Sequence, residues 1–535
     1  MLGMVMTMLC MSGCGKAAND MQESYEASRS IQENGQEKTK ESTQEHSQAA
    51  DTDVNETANA VSDWIGDEYP YEQELQIVDD NYRNYYEIFV YSFYDSDGDG
   101  IGDLNGVTQK LDYIQDMGFN GIWLMPVFQS TTYHKYDTVD YMQIDPEYGS
   151  TEDMQNLIEE CHKRGMECHA WMVTIPLGNK KHVVSLGSQS VTKRVKEICV
   201  PYKREYFLNP GHPATKEYLM KLVREVVSGY DVDGVHFDYL RYPENAPLFP
   251  DKYDFRRYNK GRTLDQWRRD NISEIVRYIY KGVKAMKPWV KVSTCPVGKY
   301  RDTSRYPSRG WNAFFTVYQD PQGWMGEGIM DQIYPMMYFQ GNNFYPFALD
   351  WQEQSNGRQV IPGLGIYFLH PDEGKWTRDE IDRQMNFIRK QKMAGEGHYR
   401  GKYLMENTQG IYDELSENFY AYPALQPPMP WLDNVPPTAP SALKVTHIDN
   451  GYTELTWQAA TDNDQRNKPM YVIYASNDYP VDINRPENIV AQNIRETSYV
   501  YAPILPWNAK KHFAVTAIDR YGNESTATQE QTVQQ

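Results

Sequence analysis

The sequence predicts an α/β protein, a (β/α)8 TIM barrel followed by a small all-β sandwich, and three observations lead to this fold class. Short β-rich runs alternate with amphipathic helical patterns from Tyr85 onward over about 340 residues, which suits eight β/α units. A proline-rich break follows, QPPMP at 426–430 and VPP at 435–437. Beyond it, about 100 residues alternate apolar and polar positions between regular turn signals.

Composition and charge narrow the class of protein. The 535 residues include 53 Lys and Arg against 74 Asp and Glu, a formal net charge of −21, and 13% are aromatic. So many aromatic residues exclude a disordered protein, and so acidic a chain is not expected to bind nucleic acid. The stretch from Gly15 to Glu74 holds 15 acidic and 4 basic residues, about half of the net charge. We expect a monomer.

The N-terminus has the pattern of a secreted protein. Residues 1–14, MLGMVMTMLCMSGC, are apolar but shorter than the ~20 residues of a membrane-spanning helix. They resemble a bacterial lipoprotein signal, which implies lipidation at Cys14 and a membrane lipoprotein at the cell surface or outside the cell. An ordinary secretory signal is the alternative. Residues 15–75 hold few large apolar residues, and this composition predicts a disordered acidic tether.

The barrel is expected over residues 80–425. A doubly wound open sheet is the alternative, but no glycine-rich phosphate loop follows the first strand, so we favour the barrel. The expected strands are Glu87–Phe93, Gly121–Met125, Met166–Val173, Gly234–Phe237, Lys291–Thr294, Met330–Tyr334, Val360–Ile366 and Lys402–Met405. The expected helices are Leu104–Met117, Thr151–Arg164, Ala214–Tyr230, Thr263–Met286 and Arg378–Met393.

An acidic loop follows the first expected strand. Aspartates at 95, 97, 99 and 103 alternate with glycines, and hard oxygen ligands in this pattern suit Ca²⁺. An EF-hand is excluded because Gly106 stands where that motif needs a bidentate glutamate. A solvated acidic loop without a metal is the alternative.

This region resembles the α-amylase family, glycoside hydrolase family 13. The resemblance covers about 80 residues and includes EIFVYSFYDSDGDGIGDLNGV and TTYHKYDTVDYMQIDPEYGS. It implies that structural calcium is bound by Asp95, Asp97, Asp99, the carbonyl group of Ile101 and Asp103. It also implies that His134, Tyr136 and Asp137 line a sugar subsite, with Tyr136 stacking on the sugar. The alternative is a loop that only packs over the barrel.

The resemblance to family 13 breaks at the third strand, where CHAWMVT at 168–174 lacks the expected Asp and the Asn-His pair. From there the chain resembles the glycosyl-hydrolase-like family 10 barrels, on segments such as YFLNPGHPATKEYL and YDVDGVHFDYLRYP. Beyond residue 436, PPTAPSALKV, YVIYAS and HFAVTAIDRYGNES resemble a fibronectin type III domain over 436–530. A spacer or a carbohydrate-binding accessory is the role expected for it.

Both barrel resemblances lead to Asp238, at the carboxyl end of the fourth expected strand. Catalytic residues of such barrels lie at this end of the strands. In the family 13 pattern the same position holds the nucleophile, and His236 here replaces an arginine. His236 and Arg241 are therefore expected to tune the Asp238 carboxylate. A structural aspartate that caps the following helix is the alternative.

Other side chains are expected to contact sugar. The candidates are His169 and Trp171 on the third strand, Tyr242 after the fourth and Tyr338 after the sixth. Packing in the core is the alternative for each of them.

The second carboxylate of a glycosidase is harder to find. Glycoside cleavage needs a general acid opposite the nucleophile or base, and family 13 takes a glutamate from the fifth strand. This chain has Ser-Thr-Cys-Pro there, at 293–296. The candidate acids are Glu406, placed after the eighth expected strand, and Glu327, whereas Asp331 is expected to be structural. The mechanism of family 13 is therefore not transferred intact.

The function expected is a glycosidase that cleaves O-glycosidic bonds of a polysaccharide or oligosaccharide. Two alternatives stay open: a surface lipoprotein that binds glycans without cleaving them, and a hydrolase of cell-wall polymers or exopolysaccharides that does not act on α-glucan. Cys161, Cys168, Cys199 and Cys295 have no CxxC spacing and are expected to be buried thiols.

Overall fold

The computed structural model describes residues 85–130, 132–136, 138–448, 451–466 and 468–530. Cys14, the tether over residues 15–75 and Asp137 lie outside the described residues. No helix within these ranges is long and apolar enough to cross a membrane. The four cysteines at positions 161, 168, 199 and 295 carry free thiols, and the thiol at 199 is only partly buried.

A curled parallel sheet of seven strands forms the centre of the larger part of the chain. Neighbouring strands follow one another in chain order, and each pair is parallel. The strands are β1 (Tyr86–Ile88), β2 (Gly121–Leu124), β3 (Glu167–Val173), β4 (Gly234–Asp238), β5 (Lys291–Thr294), β6 (Gln332–Ile333) and β7 (Gln359–Val360). Parallel strands buried on both faces need apolar residues on the outer face, and Ile88, Ile122, Val235 and Val292 are buried there.

Two further strands bring the sheet back toward its start. β8 (Gly363–Leu364) pairs in parallel with β9 (Gly397–His398), and a parallel bridge between Met336 and Gly363 joins β8 to the end of β6. The Tyr86 hydroxyl donates to the carbonyl oxygen of Gly401, just beyond β9, at 3.5 Å. The last strand therefore lies beside the first.

Helices fill the connections between the strands. The main ones are α1 (Leu104–Gln109), α2 (Leu111–Asp116), α3 (Thr151–Lys163), α4 (Ala214–Gly229), α5 (Leu264–Met286), α6 (Tyr345–Glu353) and α7 (Arg378–Lys390). α3 begins at a capping box, in which Ser150 accepts from the Asp153 amide and Asp153 accepts from the Ser150 amide. Shorter helices cover Lys180–Ser185, Val191–Arg194, Lys252–Tyr258, Ala313–Thr316, Pro321–Gly326, Lys402–Met405 and Ile411–Glu414.

The connections on the carboxyl side of the strands also carry small sheets. An antiparallel pair, Phe128–Ser130 with Thr138–Ile144, follows β2. A three-stranded antiparallel sheet of Pro176–Asn179, Cys199–Tyr202 and Glu205–Leu208 follows β3. These connections are long, as expected for loops that shape a site above a sheet.

The eighth expected strand is wrong. Lys402–Met405 forms a short helix with Tyr403 and Leu404 buried, and the strand in this region is β9, five residues earlier. A four-residue run with three apolar residues has no periodicity that separates a helix from a strand, which explains the error. The first strand is also shorter than expected, because a 3-10 turn at Val90–Ser92 ends it early.

The C-terminal part forms two antiparallel sheets. One contains β10 (Ser441–His447), β11 (Thr453–Gln458) and β14 (Ser498–Tyr501), and the other contains β12 (Met470–Ser476), β13 (Ile489–Ile494), β15 (His512–Ile518) and β16 (Thr528–Gln529). Their inner faces share one apolar core, which includes Leu455, Trp457, Ile473, Phe513 and Val515.

Candidate active site

Polar side chains close the amino-terminal end of the curled sheet. The Tyr85 hydroxyl donates to Glu167 Oε2 at 2.6 Å, and His169 Nε2 lies 2.9 Å from the same oxygen. Lys291 pairs with the other carboxylate oxygen of Glu167 and donates to Gln426 Oε1 at 2.7 Å. His169 is fully buried in this network, so the structure corrects its expected role as a sugar contact.

A layer of rings fills the middle of the curled sheet. We define this middle layer as Tyr85, Trp123, His236 and Tyr334. The Trp123 ring lies 5.5 Å from Tyr85, 4.4 Å from His236 and 4.3 Å from Tyr334, centroid to centroid. Because all four rings meet at Trp123, they form one packed cluster between the two ends of the strands.

His236 is a neutral member of this layer. It is fully buried, and burial lowers its pKa to about 3. Its Nδ1 forms a hydrogen bond with Ser293 Oγ at 3.0 Å. Desolvation therefore keeps the His236 imidazole neutral, so His236 does not place a positive charge beside Asp238.

The next layer toward the carboxyl ends of the strands carries the candidate chemistry. Side chains on one face of a strand recur every two residues, so the residue two positions beyond each middle-layer position points the same way, one level higher. We call these positions the upper layer, and its members are Glu87, Met125, Asp238 and Met336. Glu87 and Asp238 are the two acidic members of this set.

Asp238 is the last residue of β4 and is 7% exposed. Its Oδ1 accepts from the Tyr239 amide at 2.6 Å and from the Cys295 thiol at 3.4 Å. Burial raises the pKa of the carboxyl group, while the positive charge of Arg241 and the Tyr239 amide lower it. Asp238 therefore lies where the sequence placed it, with Arg241 as a charged neighbour.

The backbone turns sharply directly after Asp238. Tyr239 has a φ of +51°, a left-handed conformation that bulky side chains rarely adopt. Its ring is 40% exposed, and the Arg241 guanidinium lies over it at 4.8 Å. Backbone strain of this kind is characteristic of functional sites, and here it fixes the positions of both side chains around Asp238.

Glu87 is the functional residue that the sequence analysis missed. It lies in the middle of β1, half-buried, and burial raises the pKa of its carboxyl group to about 8. The negative charge of Asp238 raises this pKa further, and Arg400 opposes the shift. The signal in the sequence was its alternation: Glu87 is the acid two residues beyond Tyr85 on a strand whose other residues are apolar or aromatic.

Arg400 is held beside Glu87 by its own partners. Its guanidinium donates to Glu373 Oε1 at 2.9 Å and to the Tyr403 hydroxyl at 3.3 Å, and Tyr403 also donates to Glu373 at 2.8 Å. This network follows β9 and brings a positive charge close to Glu87.

Two groups of aromatic side chains follow the strands at their carboxyl ends. Burial raises the pKa values of Tyr338 and Tyr399 of the second group, and both lie close enough to Glu87 for its charge to raise them further. One group, after β1 and β2, consists of Phe89, Tyr91, Tyr133 and His134, with ring centroids 5.1 to 6.0 Å apart. The other group consists of Tyr338, Tyr399, Tyr367, Phe368 and Trp376, in which Tyr338 and Tyr399 stack at 5.2 Å. All of these rings are partly exposed.

Tyr136 and His134 lie near the pair, on the loop between the strands of the antiparallel hairpin. The Tyr136 amide donates to His134 Nδ1 at 3.2 Å. Burial raises the pKa of Tyr136 well above its usual value, and the negative charges of Asp238 and Glu87 raise it further. The loop is anchored by Lys135, which is 1% exposed and pairs with Asp145 at 2.8 Å.

Trp171 and Tyr338 are also near the two carboxyl groups. The Trp171 ring packs against Trp123 at 5.9 Å and His236 at 5.1 Å, directly below Asp238. Tyr242, in contrast, is fully buried and packs against Phe249, Tyr318 and Arg268. The structure therefore contradicts the sugar contact expected at Tyr242, since a side chain without exposed surface cannot contact a sugar.

The acids considered for the second carboxylate lie elsewhere. Glu406 ends the short helix Lys402–Met405, is 47% exposed and pairs with Lys402 at 3.7 Å. Its expected position rested on the eighth strand that the structure replaces with this helix. Glu327 pairs with Arg277 at 2.6 Å on the surface. Asp331 is buried before β6 and accepts from Tyr280 and Trp431, both at 2.9 Å.

The acidic loop brings three carboxylates together. One oxygen from each of Asp95, Asp97 and Asp99 lies within 4.8 Å of the others. Asp103 is engaged differently: its Oδ1 accepts from the Gly106 amide at 2.7 Å and so caps α1, and its Oδ2 accepts from the Ser96 amide at 2.8 Å. The donor set of the loop is therefore three clustered carboxylates with Asp103 at the base.

The sequence of this chain is similar to one protein-family model and to several known proteins. Residues 87–182 match the family model for the α-amylase catalytic domain. Glycosyl hydrolase YngK of Bacillus subtilis (strain 168) is 29% identical over 454 residues, which cover 79% of this chain and 87% of that protein. Alpha-amylase SusG of Bacteroides thetaiotaomicron is 48% identical over 84 residues, 16% of this chain and 12% of that protein.

A solved structure, Eubacterium rectale Amy13B, aligns over 72% of this chain and 88% of its own length at 18% identity, with a TM-score of 0.42. The sequence matches alone decide the class of protein. They confirm the prediction of a glycosidase, and they do not favour the alternative of a glycan-binding lipoprotein without activity. The protein is a glycosidase, and its residues 87–182 are similar to the α-amylase catalytic domain.

Proposed function

We propose that this glycosidase hydrolyses O-glycosidic bonds of a neutral polysaccharide or oligosaccharide at the carboxyl ends of a closed (β/α)8 barrel. The position of Asp238 carries this proposal. It ends β4, is 7% exposed and has Arg241 as a charged neighbour. Active sites of such barrels occupy this face, so the fold and the chemistry agree.

Asp238 serves as the nucleophile or the base of the reaction. A carboxylate must be ionised to attack a sugar carbon or to accept a proton from water. The Arg241 guanidinium and the Tyr239 amide favour the ionised form of Asp238 against the effect of burial. Arg241 therefore acts on the reaction through Asp238.

The rings around the carboxyl groups suit neutral sugars. Aromatic faces stack on the apolar faces of pyranose rings, and phenol hydroxyl groups hydrogen-bond to sugar hydroxyls. We assign Tyr136, Trp171 and Tyr338 as substrate contacts, with His134 on the same loop as Tyr136. Asp137 is assigned to the same subsite on the resemblance to family 13 alone.

A substrate panel tests the proposal. The purified protein is incubated with α-glucans, bacterial exopolysaccharides and cell-wall glycan, and released reducing ends are measured. We expect release from at least one polymer and a loss of at least ~10²-fold in Asp238→Asn. Equal rates in wild type and Asp238→Asn, or release from none of the polymers, would contradict the proposal.

We further propose that the acidic loop binds structural Ca²⁺. Three carboxylates that converge within 4.8 Å and a glycine-rich backbone fit a cation of this size, with the carbonyl group of Ile101 and Asp103 completing the set. Chelation should lower the melting temperature of the wild type, and added Ca²⁺ should restore it. In Asp97→Asn both effects should shrink. A melting temperature that does not respond to the chelator would contradict this assignment.

The remaining parts of the chain are assigned on sequence grounds. We propose that the barrel continues beyond its amylase-like start as a family 10-like glycosyl hydrolase, which the long match to YngK supports. The three-plus-four arrangement of antiparallel strands supports a fibronectin type III-like domain at 436–530. Lipidation at Cys14 would hold the enzyme at the cell surface, and Cys14→Ser should release it into the medium.

A further inference from the structure

We infer that Glu87 is the general acid of this glycosidase, an inference that rests on the proposed function of Asp238. Neither resemblance assigns a catalytic role to a residue of the first strand, and the glutamate that the amylase pattern would use is absent from β5. The inference follows from three observations: the layer in which Glu87 lies, the charges around it, and the partners of every other candidate acid.

The ring cluster places Glu87 and Asp238 on the same side of it, toward the carboxyl ends of the strands. Tyr85 and His236 both pack on Trp123 and Tyr334, so these two positions of β1 and β4 belong to one cluster. Glu87 and Asp238 each follow by two residues on parallel strands. Side chains two residues apart point the same way, about 6.6 Å further along the strand. The two carboxyl groups therefore face the same space from different strands.

The charges around the two carboxyl groups give them different protonation states. In a partly desolvated site, the negative charge of one carboxylate raises the free energy needed to ionise a second carboxyl group close to it. One of the two groups therefore keeps its proton. Asp238 has the Tyr239 amide, the Cys295 thiol and Arg241 on its side, which favour the ionised form. Glu87 is opposed by Asp238, and burial raises its pKa to about 8. At neutral pH Glu87 is the protonated partner.

The groups on β5, which supplies the acid in the amylase pattern, are occupied and cannot donate a proton to substrate. Ser293 Oγ bonds His236 Nδ1 at 3.0 Å, and Thr294 Oγ1 donates to the Phe237 carbonyl oxygen at 2.7 Å. The other acids considered, Glu406, Glu327 and Asp331, pair with groups outside the upper layer. Glu87 is the acid that shares the upper layer with Asp238.

The proposed reaction needs only the glycoside and water as reactants. Glu87 gives its proton to the glycosidic oxygen as the bond from the anomeric carbon to that oxygen breaks, so the leaving sugar departs as an alcohol. The new bond at the anomeric carbon comes from an Asp238 oxygen, or from a water whose proton Asp238 accepts. In the first case water later cleaves the ester and returns a proton to Glu87, and in the second case Glu87 regains its proton from solvent.

A titration tests the assignment without any substrate. Protein labelled with ¹³C at the glutamate carboxyl carbons is titrated by NMR, and the Glu87 signal is identified as the one absent from Glu87→Gln. We expect a midpoint near pH 8 in the wild type and a lower midpoint in Asp238→Asn, which removes the neighbouring charge. A midpoint below pH 6, or one that Asp238→Asn leaves unchanged, would overturn the assignment.

Leaving-group dependence tests the role in catalysis. The substrates are the polymer that the wild type cleaves and the 2,4-dinitrophenyl glycoside of the sugar it releases, because dinitrophenolate departs without a proton. Glu87→Gln should lower kcat/KM by ~10²–10⁴-fold on the polymer and by less than tenfold on the aryl glycoside. Asp238→Asn should lose activity on both substrates, whereas Glu87→Asp should retain part of the activity on the polymer.

The control is Glu225→Gln on α4, a half-buried glutamate whose pKa burial also raises. It should match the wild type on both substrates. Equal losses on both substrates in Glu87→Gln, or no loss on either, would overturn the role of Glu87. A wild type that cleaves no polymer contradicts the proposed function instead, and the titration still decides the protonation of Glu87.

Discussion

At the scale of single residues, the curled sheet holds a neutral ring layer below two carboxyl groups. Burial prevents His236 from carrying charge, and its Nδ1 is fixed by Ser293. A neutral imidazole under Asp238 adds no positive charge that would lower the pKa of Asp238 further. The electrostatic control of the site therefore belongs to Arg241 near Asp238 and Arg400 near Glu87.

The buried His236 predicts acid sensitivity. Its folded pKa of about 3 lies below the value of 6.5 for an exposed imidazole, so the neutral form stabilises the fold fully above pH 6.5. This stability is lost as the pH falls from 6.5 toward 3, at up to about 1.4 kcal/mol per pH unit. His236→Gln should show a smaller loss in urea unfolding between pH 6.5 and pH 4.5. His447→Gln, at an exposed histidine, is the matched control and should keep the wild-type pH dependence. Identical slopes in wild type and His236→Gln would refute this explanation.

At the scale of elements, much of the fold could be predicted and the second carboxylate could not. The bounds of β2, β3 and β5 were expected within one residue at each end. Apolar residues mark β2 and β3, and the β-branched Val292 and Thr294 mark β5. Asp238 was placed correctly because β4 ends at it. Glu87 was missed because β1 was expected to start at that residue, which hid its alternation with Tyr85.

Short elements near the end of the sheet explain the other errors. β7, β8 and β9 have two residues each, too few for any periodicity to be visible in the sequence. The rim residues that follow them, Tyr399 and Arg400 above all, therefore could not be assigned to a strand end. Their placement depends on pairing with distant strands, which a local pattern does not contain.

The capping box of α3 gives a prediction at the same scale. Ser150 Oγ accepts from the Asp153 amide, and its loss leaves a helix-terminal N–H group without this partner. Ser150→Ala should lower the free energy of unfolding by about 1 kcal/mol. Ser228→Ala within α4 is the control and should change it by less than about 0.5 kcal/mol, since alanine favours a helix interior. Denaturant unfolding measures both, and equal values would contradict the role of the cap.

At the scale of the whole molecule, the C-terminal sheets pack against the amino-terminal end of the curled sheet. Arg520, after β15, donates to Asp231 Oδ1 at 3.0 Å and to Asp233 Oδ1 at 3.1 Å. Asp233 precedes β4, accepts from the Cys168 amide at 2.9 Å and pairs with His162. The positive charges of Arg520 and His162 hold the pKa of Asp233 below its usual value against burial. This contact lies at the opposite end of the strands from Glu87 and Asp238.

Arg520→Ala should therefore destabilise the protein without changing catalysis. It leaves the largely buried Asp233 without its guanidinium partner, while Asp231 keeps Arg495 at 3.4 Å. The loss should cost about 2–3 kcal/mol, less than for a fully buried pair. Arg466→Ala removes an exposed pair with Asp464 in the same part of the chain and should cost less than about 1 kcal/mol. Thermal unfolding and kcat/KM are measured for both. A drop in kcat/KM for folded Arg520→Ala would contradict the separation of the two ends.

The pH dependence of kcat/KM on the cleaved polymer tests the central claim most directly, namely that Asp238 and a protonated Glu87 form the catalytic pair. Because Glu87 must carry a proton and its pKa is about 8, we expect kcat/KM to fall tenfold per pH unit above about pH 8. A fall that begins below pH 6, or a profile that stays level to pH 9.5, would contradict the claim.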